Sequence, residues 1–162
     1  ARVVDRGIRE TEMIDLHQLV LIEDKSVIGM FIDSSVIDSG GNLFDACSYA
    51  SVAAILSCTV PKWEIKDDAP SLVEGVTSKP PIKTLPVSVT MARIGDYIIV
   101  DPTKDEESCM DARITITTNS DGNICAVQKG GSDGFTAEQL IQCTETALAV
   151  GRKIRKRFEQ LM

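Results

Sequence analysis

One histidine and no C-x-x-C pair are all that this 162-residue sequence offers a transition metal. His17 stands alone, and Cys47, Cys58, Cys109, Cys125 and Cys143 are scattered and odd in number. A zinc site is not expected, and reduced thiols in a cytosol are, so the chain reads as cytoplasmic. Nothing beside His17 in the sequence forms a nucleophile-base pair. No apolar run approaches the roughly eighteen residues of a membrane-spanning helix, and no charged-apolar-small leader opens the chain. Positive charge is also short, with 17 Lys and Arg against 24 Asp and Glu and a net charge of -7. Such a chain has no general field for nucleic acid, so any contact must come from a local basic cluster. Not one cation lies between Lys25 and Lys62.

What is present suits a globular domain. At 43% hydrophobic and 25% charged residues, the chain can bury one core or two small layers sharing it. Residues 2–12 read as a helix. Residues 19–22 and 27–37 read as two strands joined by Glu23-Asp24-Lys25-Ser26, a hairpin ended by Gly40-Gly41. Asn42 or Asp45 can cap the small-residue helix "DACSYASVAAILS", and Pro61 lies just past its end. Residues 61–84, with Pro61, Pro70, Pro80 and Pro81, read as a long connection holding at most one short strand near 63–65. Strands are expected at 87–93, 97–100, 112–118 and 124–128 as a meander, with turns at Gly95-Asp96 and Asp121-Gly122. "KGGSDGF" lacks the G-K-[ST] ending of a phosphate loop and reads as a flexible link. The final helix should start at a Thr136-x-x-Gln139 capping box and bury Leu140, Thr144, Ala147, Gly151, Ile154, Phe158 and Leu161. The whole is an α+β domain of two β-then-α units: residues 1–60, a connection 61–84, and residues 85–162.

Three clusters could carry chemistry. Asp101, Asp105, Glu106, Glu107 and Asp111 place five acids in eleven positions between two strands. They could be a catalytic carboxylate pair, a metal site or a solvated loop, although EF-hand spacing is absent. Arg113 is expected to pair with one of them. Arg2, Arg6 and Arg9 step by four and three along one helix face, where Asp5 and Glu10 could engage them. Arg152, Lys153, Arg155, Lys156 and Arg157 crowd the end of the last helix, where they complement its dipole and face solvent.

Five stretches together resemble the RNase PH family, and within it the inactive ring subunits of the archaeal exosome. They are "RVVDRGIRE" (2–10), "IDSGGNLFDACSYASVAA" (37–54), "LPVSVTMARIGD" (85–96), "DPTKDEESCMDARITIT" (101–117) and "GNICAVQKGG" (122–131). The resemblance implies an RNase PH-like (ribosomal protein S5 domain 2-like) fold, whose members carry a further N-terminal portion. Since this chain opens on Ala1-Arg2 inside a helix, it is expected to hold the later part of the first unit and all of the second. The resemblance further implies heterodimers with an active subunit, assembled into a six-membered ring with RNA-binding cap subunits. Such a ring degrades single-stranded RNA from the 3′ end with inorganic phosphate, without a cofactor or membrane.

Active members bind phosphate through an Arg in a G-T-R turn after the second strand. Here that turn is Gly40-Gly41-Asn42-Leu43-Phe44-Asp45-Ala46. Without a guanidinium fork nothing there grips a phosphate, and an acid at Asp45 repels one. Asp105 and Asp111 keep the six-residue spacing of the active acids, but Ala112-Arg113 departs from the active pattern. The resemblance therefore implies no catalytic residue and no metal, only a residual acidic loop, with Arg6, Arg9 and Arg2 in that order of preference lending cations to RNA. The alternative is that the chain is itself a phosphorolytic 3′→5′ exoribonuclease.

Overall fold

The computed structural model describes residues 1–161. Helix α1 (Arg2–Arg9) leads into a single 3-10 turn at Leu16–Leu19 and the short antiparallel pair β1 (Val20–Ile22) and β2 (Ser26–Val27). The expected hairpin forms, but its second strand ends at Val27. Residues 28–37 carry strand-forming side chains yet find no neighbouring strand, and a strand without a ladder partner has nowhere to place its backbone groups. Phe31 is 93% and Ile37 fully exposed there.

Helix α2 (Leu43–Ser57) starts where expected, capped by Asn42, whose side chain accepts from Asp45 N–H. Asn42 adopts left-handed backbone (φ 43°), which asparagine tolerates better than most residues. The expected connection at 61–84 is instead a hairpin, β3 (Val60–Lys66) with β4 (Ala69–Ser78). Asp67 and Asp68 both take positive φ at its tip, the geometry of a two-residue hairpin turn. Pro61 and Pro70, two of the four prolines that suggested a linker, sit in this two-stranded sheet, where every strand is an edge and a missing N–H is tolerated, while Pro80 and Pro81 follow it.

Strands β5 (Val87–Ile94), β6 (Tyr97–Val100), β7 (Ala112–Thr118) and β8 (Ile124–Gly131) form one antiparallel sheet, with helix α3 (Lys104–Cys109) between β6 and β7. Its order is β6-β5-β7-β8, not the sequential meander. Strand β7, buried along most of its length, takes the central place beside β5, and the four-residue β6 is left at the edge.

The two faces of this sheet differ chemically. Val87, Val89, Met91, Ile114 and Ile116 point to helix α4 (Ala137–Phe158), which begins at the expected Thr136/Gln139 capping box. Its buried stripe is Cys143, Ala147, Gly151, Arg155 and Phe158, while Leu140 and Leu161 stay exposed. The opposite face is a run of hydroxyls: Ser88 bonds Thr117 (2.8 Å), Thr90 bonds Thr115 (2.9 Å), and Ser48 of α2 reaches Ser88 (3.2 Å). Gly7 lays α1 on the same face, where an added Cβ would already touch Ser88 and Thr117. Pairing each hydroxyl with another lets a polar face be buried without orphaned groups.

Arg155 is a departure from expectation. It faces in, 5% exposed, donating to the carbonyls of Leu85 (2.9 Å) and Thr118 (2.9 Å) and to Thr118 Oγ1 (3.0 Å). Its position four residues after Gly151 and three before Phe158 puts it on the stripe that meets the sheet.

Candidate functional site

The turn before α2 and the acidic segment sixty residues later meet. Lys104 N–H donates to Gly40 C=O (2.8 Å), and Asn42 N–H to Glu107 Oε1 (3.2 Å). The Asn42 amide spends both its N–H groups inward, on Asp45 Oδ2 (2.9 Å) and Asp101 Oδ1 (2.7 Å). Gly41 permits this approach. Its φ of 126° is disfavoured for side chains, and a Cβ would stand 2.5 Å from Pro102 O and 2.6 Å from Lys104 N.

Asp45 is the centre of the network, 5% exposed. Besides Asn42 it accepts from Thr90 N–H (2.8 Å) and Thr90 Oγ1 (2.7 Å). Burial pushes its carboxyl above the usual range; the bonds from Asn42 and Thr90 oppose that, and the charge of Asp101 adds to it. Burial also pushes the Tyr49 phenol up, with Asp45 and Asp101 acting in the same direction. Tyr49 is thus held as a neutral donor, giving its O–H to Ser88 C=O (2.6 Å).

The acidic segment is a helix in its middle, not a loop. Thr103 and Glu106 form a capping box for α3, a Thr-x-x-Glu signal present in the sequence. The bonds from Thr103 hold the Glu106 carboxyl below its usual range. Asp105 is exposed on α3. Asp111 has structural partners, accepting from Gly95 N–H (2.8 Å) and lying 3.5 Å from Arg93, which also pairs with Asp133 (3.0 Å). Arg113 forms no ion pair among the described residues. Its guanidinium covers the Phe44 ring at 4.0 Å, a cation-π contact joining β7 to α2; burial shifts its pKa down, and the charge of Glu107 opposes that shift. Among the described residues no three His, Cys, Asp or Glu side chains are grouped to hold a metal ion.

The immediate surroundings of Asn42 are acidic, and the one guanidinium close by, that of Arg113, is laid on Phe44. Asp45, Asp101 and Glu107 surround Asn42, whose donors are already consumed. An incoming phosphate would meet carboxylates, and no free donor of the Asn42 side chain. Asn42, Thr90 and Glu107 were not singled out as a unit in the sequence, because their partnership spans distant segments.

The second cluster, on α1, leaves Arg2, Arg6 and Arg9 exposed. Arg9 pairs with Asp5 at 3.1 Å, as the spacing suggested. Glu10 does not engage the Arg6 guanidinium, and among the described residues Arg6 and Arg2 form no ion pair. Beside this helix a groove of about 960 Å³ runs between α1, residues 28–34 and α2, with Ile8, Ile14, Leu19, Ile28 and Met30 in its walls.

Comparison with known proteins places this geometry. Residues 84–150 match the 3′ exoribonuclease family, domain 2. The exosome complex component Rrp42 of Thermococcus gammatolerans is 44% identical over 157 residues, which is 96% of this chain and 58% of that protein. The chain therefore spans somewhat more than half the length of the curated relatives it matches. A solved archaeal exosome core contains a chain that superposes with a TM-score of 0.87 at 37% identity, over 98% of this chain and 62% of that one. A chain of the Archaeoglobus fulgidus exosome with RNA bound to the active site gives 0.81 at 35% identity, over 98% and 59%. The chain carries the RNase PH-like α+β fold, and residues 84–150 match the second domain of that 3′ exoribonuclease family.

Proposed function

We propose that this chain is part of a non-catalytic exosome ring subunit, which assembles with an active RNase PH-like partner and positions RNA for it. In this reading heterodimers close into a six-membered ring bearing RNA-binding cap subunits, in the cytoplasm. The partner performs 3′→5′ phosphorolysis on single-stranded RNA. The observation that carries the reading is the turn at Gly40 to Asp45. Phosphorolysis needs cations around the attacking phosphate, and here Asn42 is locked between carboxylates instead. Asp105 is exposed on α3, and Asp111 is held by Gly95 and Arg93. The exposed side chains of Phe31, Ile37, Trp63 and Leu72 support assembly, because apolar surface of that kind is ordinarily covered by a partner.

RNA positioning is assigned to α1, with Arg6 first, since Arg9 is already engaged by Asp5. Arg6→Ala in the assembled ring is expected to weaken RNA binding without altering the partner's chemistry. One lost phosphate contact should reduce the slope of log K against log salt by about 0.7 for each copy touching the strand. Arg6→Glu should be worse. A lowered melting temperature with an unchanged slope would instead make Arg6 a structural residue and remove it from the RNA path.

A further inference from the structure

The last two turns of α4 carry a surface that the ring-and-α1 reading does not use. Successive residues of a helix are rotated by about 100°. With Ala147, Gly151, Arg155 and Phe158 turned to the sheet, Arg152, Lys153, Lys156 and Arg157 occupy an arc of about 140° on the opposite side. All four are exposed, and among the described residues none forms an ion pair. The helix dipole does not account for them all. Its field fades within the final turn, where Lys156 and Arg157 lie, whereas Arg152 and Lys153 stand one turn earlier. Four cations without an ion-pair partner on one face of a chain of net charge -7 repel one another, and a bound anion relieves that repulsion.

We propose that this outward face of α4 binds the phosphate backbone of single-stranded RNA. Charge complementarity asks for a polyanion, and the rest of the surface selects which kind. From Ala149 to Arg157 the outward arc holds no large apolar side chain, so it lacks the anchor on which a protein partner would centre its binding energy. It also lacks an aromatic platform for bases, so recognition is of phosphates and is indifferent to sequence. Arg152 pairs with Lys156, and Lys153 with Arg157, at i,i+4, giving two rows of cations about 6 Å apart along the axis. Such rows follow a strand's backbone.

The position in the fold links this face to α1. Gly7 of α1 rests on Ser88 and Thr117, and Arg155 of α4 grips Leu85 and Thr118. The two cationic helix segments therefore bracket the same end of the sheet from its two faces. The inference rests on the RNA-positioning reading for its biological sense, but its physical test is separate.

The test is RNA binding by the full-length protein, measured by anisotropy of a labelled oligoadenylate across a salt series. The variant carries Arg152→Gln, Lys153→Gln, Lys156→Gln and Arg157→Gln together. If all four cations meet phosphates, the slope of log K against log salt should fall in magnitude by about 2 to 3, at roughly 0.7 per contact on a single strand. An oligocytidylate should respond equally. A conservative exchange, Arg152→Lys with Lys153→Arg, Lys156→Arg and Arg157→Lys, keeps the charge and should keep the slope, which guards against misfolding of the neutral variant. A slope unchanged in the neutral variant, at an unchanged melting temperature, overturns the proposal. So does binding of labelled polyglutamate that depends on these four cations where RNA binding does not, which would mark the face as one for an acidic protein surface. Arg6→Ala measured in parallel separates the readings: loss from α4 without loss from Arg6 leaves this inference standing and removes the α1 path.

Discussion

Gly41→Ala is expected to destabilise the chain by about 3–5 kcal/mol, combining a disfavoured backbone conformation with a backbone clash. At φ 126° an alanine lies outside the regions that L-residues populate, and its Cβ would sit 2.5–2.6 Å from Pro102 O, Thr103 C and Lys104 N. None of these is the tip of a flexible side chain, so relief requires the two loops to separate. Separation breaks the Lys104 to Gly40 bond and pulls Asn42 from Asp101. Neighbouring Gly40 has open space around its missing Cβ, and Gly40→Ala should change stability by no more than roughly 0.5 kcal/mol. Urea unfolding of the pair measures the contrast. A Gly41→Ala loss below about 1 kcal/mol would mean that the turn and the acidic segment are not locked together.

Arg155→Ala is expected to cost a similar amount, about 3–5 kcal/mol. The substitution removes three hydrogen bonds and leaves the carbonyls of Leu85 and Thr118 buried without those donors. Burial opposes the charged form of Arg155, yet a guanidinium stays protonated in proteins, so its bonds to neutral oxygens are charge-assisted. Arg155→Met tests the polar part, because it keeps much of the volume and none of the donors. Arg155→Lys should recover part of the loss by reaching one acceptor. If Met matched the wild type in denaturant midpoint, the clamp from α4 to β5 and β7 would be stabilising nothing.

Arg155 also illustrates what a sequence discloses. A basic run looks the same whether or not one member turns inward, so composition placed Arg155 with the solvent-facing cations. Helix phase carried the correct signal, since position 155 falls between Gly151 and Phe158 on the buried stripe. Local rules served well where the cause is local: Asn42 caps α2, Thr136 and Gln139 cap α4, and the turns at Gly95-Asp96 and Asp121-Gly122 separate β5 from β6 and β7 from β8. They failed where the cause is distant. Residues 28–37 have strand composition but no strand beside them, and the order β6-β5-β7-β8 depends on which edge β7 joins. The hairpin of β3 and β4 was hidden by prolines that only an edge strand accepts. At the site, the missing arginine was visible in Gly40-Gly41-Asn42. The contacts that close it, from Asn42 to Asp101 and from Asp45 to Thr90, join residues 59 and 45 positions apart.

The central claim is that this subunit lacks a phosphate-holding site and therefore does no chemistry itself. The most direct measurement is phosphorolysis by the full-length subunit alone, incubated with a 3′-tailed oligoribonucleotide, inorganic phosphate and Mg²⁺. The account predicts no phosphate-dependent shortening of the RNA, with activity present only after an active RNase PH-like partner is added. Processive shortening by the subunit alone, dependent on phosphate and abolished by Asp105→Asn with Asp111→Asn, would contradict it.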